Sequence, residues 1–147
     1  TARQKEVYNA VLRVKKAAEK LLVPGTMLAE YHKEVGTIME KELLALKLID
    51  KTDIKNQDPA WPAYKKYFMH GTSHYLGLDT HDVGLWNAPI KENMVFTVEP
   101  GIYIPQENLG IRLEDNLVVQ KKGAPFNLMA NIPIEAEEIE TLMQSKK

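Results

Sequence analysis

Three of the four histidines in this chain fall within twelve residues: His70, His74 and His81, in the stretch FMHGTSHYLGLDTHDVG from Phe68 to Gly84. A lone histidine is more often a surface or hydrogen-bonded core residue. Three together, with Asp79 and Asp82 interleaved, point to a site. His70 and His74 are four apart, like the two zinc ligands of an HExxH helix. Gly71 stands where that motif carries its glutamate, and the glycines at 71, 77 and 84 argue against one regular helix. Single ligands from several strands meeting in a cleft fit better. His32 lies outside the cluster, on a predicted helix, and is read as solvated.

Two carboxylates could share that cleft. Glu99 closes the apolar run MVFTV (Met94 to Val98) and precedes Pro100-Gly101. Alternation puts Val95, Thr97 and Glu99 on one face of a strand. Glu99 then either points to water at the strand end or projects into the site, where burial requires a partner or a metal. Glu114 lies two residues after Arg112 in GIRLEDNLVV, so both side chains share a face. The plain reading of that pair is a structural salt bridge. The functional one is a metal-ligating carboxylate oriented by an arginine. One imidazole with carboxylates is a hard donor set, suited to manganese or cobalt, with zinc as a further option.

These residues need elements to hold them. Val7, Ala10, Val11, Val14, Ala18, Leu21 and Leu22 recur at helical spacing until Pro24-Gly25, and Thr26 is the expected cap of a second helix running to about Leu46. Asp50 to Pro62 reads as a surface loop. Strands are expected at Met94–Val98, Ile102–Ile104, Ile111–Val119 and Phe126–Met129, with connections at Pro105–Gly110 and Lys121–Pro125. Pro133 opens a last amphipathic helix carrying Ile139, Leu142 and Met143. Helices first and strands later give an α+β fold, an antiparallel sheet with helices on one face.

The composition is that of an ordinary globular domain. The chain has 147 residues, 44% hydrophobic and 27% charged, with a net charge of −1 and no cysteine. A disordered chain and a disulfide scaffold are excluded. The balanced charge shows no footprint for nucleic acid or an anionic membrane, and no apolar run is long enough to span a bilayer. The absence of thiols agrees with a cytoplasmic location. The first residue is Thr1 rather than methionine, which reads as a processed or excised piece.

The blocks HGTSHYLGLDTHDVG, TVEPGIYIP and GIRLEDNLVV, in that order, resemble the signature blocks of the Xaa-Pro aminopeptidase (aminopeptidase P) family, among the pita-bread metallopeptidases. The opening QKEVYNAVLRVKKAAEKLLVPG resembles a helix of the same family. The resemblance implies a partial pita-bread fold, with a curved antiparallel sheet. It implies that His74, Glu99 and Glu114 are metal ligands, with Glu114 bridging two divalent ions, manganese first among the candidates. His70, His81 and Tyr103 would line the substrate pocket. His70, His81, Glu99 and Arg112 would take part in catalysis.

The implied reaction releases the N-terminal residue from peptides with proline in second position, by attack of a metal-bridging hydroxide. The family also uses two aspartates ahead of the opening helix. Asp50, Asp53, Asp58, Asp79, Asp82 and Asp115 offer no matching pair. Residues 1–147 are therefore expected to be the C-terminal portion of a pita-bread catalytic domain, inactive alone and partnered by an N-terminal part carrying those ligands. A homo-oligomer stays open. A prolidase acting on Xaa-Pro dipeptides, or a non-catalytic pita-bread binding module, would carry similar blocks.

Overall fold

The computed structural model describes residues 1–144. Two long helices, α1 (Ala2–Glu19) and α2 (Leu28–Ala45), are followed by a short α3 (Lys51–Lys55). Five strands come next: β1 (Val95–Val98), β2 (Gly101–Ile104), β3 (Leu109–Arg112), β4 (Asp115–Val118) and β5 (Phe126–Asn127). Helix α4 (Ala136–Gln144) ends the described chain. No helix among the described residues is long and apolar enough to cross a membrane.

The two long helices form where the apolar spacing places them. Thr1 Oγ1 accepts the Gln4 N–H while the Gln4 side chain returns to the Thr1 ammonium, a capping box that satisfies donors at the start of α1. Val7, Ala10, Val11, Val14 and Ala18 of α1 and Tyr31, Val35, Met39 and Leu43 of α2 are buried in one core with Phe96, Val98, Ile102, Ile104 and Leu117 from the strands. Helix α1 packs on α2 and on β1, β2 and β3, so it is the layer on which the strands rest.

Between the helices the chain turns at Gly25, whose φ of +95° an L side chain rarely adopts. Its N–H donates to Ile90 O, and the Ile90 N–H donates to Thr26 O. That pairing overrides the expected cap. The Thr26 hydroxyl turns back to Leu21 O, and Met27 precedes α2 without a side-chain cap. The expected loop after Asp50 likewise contains a helix. Asp50 Oδ1 accepts the Thr52 and Asp53 N–H groups, while Asp53 Oδ2 accepts the Asp50 N–H. This capping box is strong enough to form one turn of α3 within an otherwise irregular segment. The last helix starts later than Pro133, because Ile134 O accepts the Tyr8 hydroxyl at 2.7 Å and ties that residue to α1.

The strands pair antiparallel, as β1–β4–β5 and β2–β3. The expected single strand Ile111–Val119 is divided into β3 and β4, which belong to the two different ladders. Yet both ladders keep one register. Val98 pairs with Asp115 and Gly101 with Arg112, so Pro100 falls opposite Leu113 and Glu99 opposite Glu114. The Leu113 N–H donates to Pro100 O at 3.3 Å, and Pro100 has no N–H with which to return the bond. The break is thus local, and it lies beside the two glutamates. The strand expected at Phe126–Met129 shortens to Phe126–Asn127, where Asn127 Oδ1 accepts the Met129 N–H and starts a turn.

Candidate metal centre

Three extended segments bring the site together. The outer edge of β1 is covered by residues 72–76. Glu99 N–H donates to Thr72 O at 2.8 Å, Thr97 N–H to His74 O at 3.1 Å and Leu76 N–H to Val95 O at 3.2 Å. Beyond a bridge between Tyr75 and Phe96, this segment, which Gly71 and Gly77 flank, is not regular strand. On the other side of β1 lies β4, preceded by Glu114. His74, Glu99 and Glu114 therefore stand side by side. Each offers one ligand atom, and these atoms lie within 4.8 Å of one another.

The hydrogen bonds fix the ring of His74. Tyr75 O can only accept, so Nδ1, 2.8 Å away, carries the proton. Nε2 then faces Glu99 Oε1 at 3.2 Å. An imidazole nitrogen and a carboxylate oxygen this close could both bind one cation. The outer hydrogen bond to a carbonyl is the usual way a ligating imidazole is oriented. Glu99 and Glu114 add a like-charge opposition, since carboxylates directly across an antiparallel pair repel. Arg112 offsets it in part: Nη1 is 3.6 Å from Glu99 Oε2 and Nη2 is 3.7 Å from Glu114 Oε2. Its side chain is half exposed, so these contacts are screened. One imidazole nitrogen and two carboxylates, with excess negative charge, fit a divalent cation.

The remaining predicted residues surround this centre. The His81 ring lies 4.3 Å from that of His74, on an exposed loop. His70 is held on both nitrogens. Nδ1–H donates to Gly71 O, and Nε2 accepts the Tyr103 hydroxyl, each at 2.8 Å. Phe68 and Tyr103 pack edge-on against the His70 ring. Burial pushes the Tyr103 hydroxyl pKa up, partly countered by the Arg112 guanidinium beside it, so the phenol keeps its proton and acts as donor.

A family model for metallopeptidase family M24 matches residues 1–121. The chain belongs to metallopeptidase family M24. It is 38% identical to the Xaa-Pro aminopeptidase of Haemophilus influenzae over 95% of its own length and 35% of that protein. It is 39% identical to the Xaa-Pro aminopeptidase of Escherichia coli over 97% of its length and 34% of that protein. A putative aminopeptidase P from Bacillus anthracis superposes with a TM-score of 0.88 at 38% identity, covering 100% of this chain and 33% of that one. The chain thus spans about a third of the length of these relatives. The M24 family is one of metallopeptidases, and the likeness gives this chain the pita-bread fold in part.

Two parts of this M24 site escape the sequence reading. Thr97 Oγ1 accepts the His74 N–H at 3.2 Å and donates to Glu99 Oε1 at 3.4 Å, joining two of the three donors. Its signal was available: a hydroxyl on the same strand face as Glu99. His32 is the second, and here the expectation of a solvated residue is wrong. The ring is largely buried and its Nδ1 accepts the Thr72 N–H at 3.2 Å. The helical pattern places His32 beside the buried stripe, and only the fold brings residues 71–72 down onto it.

Proposed function

We propose that this chain forms one wall of the dinuclear metal centre of an Xaa-Pro aminopeptidase, which releases the N-terminal residue from peptides with proline in second position. The observation that carries the reading is the convergence of His74, Glu99 and Glu114, with the His81 ring beside that of His74. His74, Glu99 and Glu114 would hold the ions. Manganese is the preferred metal, with cobalt and zinc as alternatives. Two further carboxylates complete the set, from an N-terminal part of the domain outside this sequence. The span of about a third of the relatives' length supports that division.

Divalent ions held here would supply Lewis acidity, able to acidify water and polarise the scissile carbonyl. This chain's own side chains do the rest. His81, exposed with its ring beside that of His74, hydrogen-bonds the carbonyl oxygen as charge develops on it. Glu99 takes up a proton and passes it to the leaving proline nitrogen. Arg112 holds the two glutamates in place. Tyr103, bonded to His70, keeps that ring fixed against the substrate.

The test uses the full-length protein, stripped of metal by a chelator and then titrated with manganese. An Arg-Pro-containing peptide is compared with its Arg-Ala counterpart and with an Arg-Pro dipeptide. Metal-dependent release of arginine from the longer proline peptide is expected. Cleavage indifferent to proline, preference for the dipeptide, or no metal bound at neutral pH would overturn the reading.

A further inference from the structure

Two consecutive residues of α2 reach the segment that joins His70 to His74. The Tyr31 hydroxyl shares a 2.8 Å hydrogen bond with Ser73 Oγ, and His32 Nδ1 accepts the Thr72 N–H at 3.2 Å. Thr72 is 1% exposed, so its peptide groups have no water to fall back on. Its carbonyl is taken from the other side, by the Glu99 N–H at 2.8 Å. Thr72 is therefore held between α2 and a proposed metal ligand. The path runs His32 to Thr72 to Glu99, with His70 and His74 two residues to either side. A Cβ at Gly71 would lie 3.4 Å from His32 Cε1, so the imidazole also packs against the chain it holds.

We propose that His32 is a positioning residue of the metal centre: its Nδ1 fixes Thr72 and, through it, the spacing of His70, His74 and Glu99. The proposal rests on the reading of His74 and Glu99 as ligands. A hydrophobic side chain of similar size would fill the same space, but only an acceptor at the δ-position can hold the Thr72 N–H. Burial disfavours the charged ring and keeps the acceptor available.

The experiment compares His32→Leu and His32→Asn with the native residue in the full-length protein. Asparagine keeps an acceptor at the position of Nδ1, and leucine does not. Hydrogen exchange at the Thr72 amide is measured without metal, and affinity for manganese by titration. In His32→Leu, Thr72 exchange should speed about five- to tenfold, the equivalent of one hydrogen bond. Manganese affinity should fall about 10–100-fold, as when an outer partner of a ligand is lost. His32→Asn should restore most of both. Unchanged Thr72 exchange in His32→Leu overturns the proposal. So does unchanged manganese affinity in that variant when the native protein binds the metal. So does failure of His32→Asn to recover what His32→Leu loses. A native protein that binds no manganese sinks the aminopeptidase reading instead, and the exchange arm still decides whether His32 holds the segment.

Discussion

Glu99 and Glu114 face one another across an antiparallel pair, at the point where Pro100 leaves the neighbouring hydrogen bond unreturned. Side chains approach most closely at the non-hydrogen-bonded positions of such a pair. The sequence thus builds a site of concentrated negative charge and interrupts its own ladder beside it. A fold selected for stability alone gains nothing from this opposition, whereas a cation site does.

The first prediction tests that opposition. Glu114→Gln removes one of the facing charges. In chelator, the variant should be as stable as the native protein or more so, by less than about 1 kcal/mol. With manganese the order should reverse, because a ligand stabilises the folded protein more the more tightly it binds, with the logarithm of its affinity. Thermal denaturation with and without the metal reads both effects, and a variant less stable in chelator would argue for a structural salt bridge with Arg112.

Thr97→Val should cost about 1–3 kcal/mol in urea denaturation. The His74 N–H loses its 3.2 Å acceptor in a buried position. Thr97→Ser keeps the hydroxyl and should recover most of the loss. Equal stability of the two variants would show that the hydroxyl contributes only volume.

Lys15 of α1 is 2% exposed, and its Nζ bonds Asp115 Oδ2 at 2.5 Å, one residue after Glu114. Asn127 Nδ2 donates to the same carboxylate oxygen. Lys15→Met should destabilise by about 3–5 kcal/mol, because Asp115 and Glu19, each bonded to Nζ at 2.5 Å, both lose their cation. Adding Asp115→Asn should recover part of that loss by removing one of the two charges. A double variant no better than the single one would mean that the lysine acts through packing rather than charge.

Stability should fall with acid in a manner that depends on His32. Burial lowers its pKa below the usual 6.5, so between the two values the unfolded chain binds a proton that the folded chain does not. More protons bound in the unfolded state means stability rises with pH in that window. The contribution is intact above about pH 6.5 and is lost as pH falls below it. Urea midpoints measured from pH 7.5 down to 5 should drop less steeply in His32→Asn than in the native protein. Parallel curves would rule out His32 as the source.

Much of the fold was legible because its signals are local. The stripes of α1 and α2 and the alternation of β1 depend on side-chain periodicity, which tertiary contacts did not alter. The misread pieces are those where a distant partner intervened. Ile90 took the backbone around Thr26, Tyr8 took Ile134 O, and residues 71–72 buried His32. The Asp50 capping box, by contrast, was a local signal masked by surrounding turn residues.

By itself the sequence determined which residues are able to act as ligands. An imidazole and two carboxylates in recognisable blocks are a matter of chemical identity, independent of how the chain folds. It also determined, through Pro100, where a ladder must fail. Only the tertiary structure decided that Glu99 lies opposite Glu114, since register is a relation between strands and no single strand contains it. The tertiary structure likewise turned His74 Nε2 toward Glu99 by giving Nδ1 a carbonyl, and set Thr97 between two donors. Ligand character is a property of residues, but a site needs directions and distances, and these come from hydrogen bonds among segments far apart along the chain.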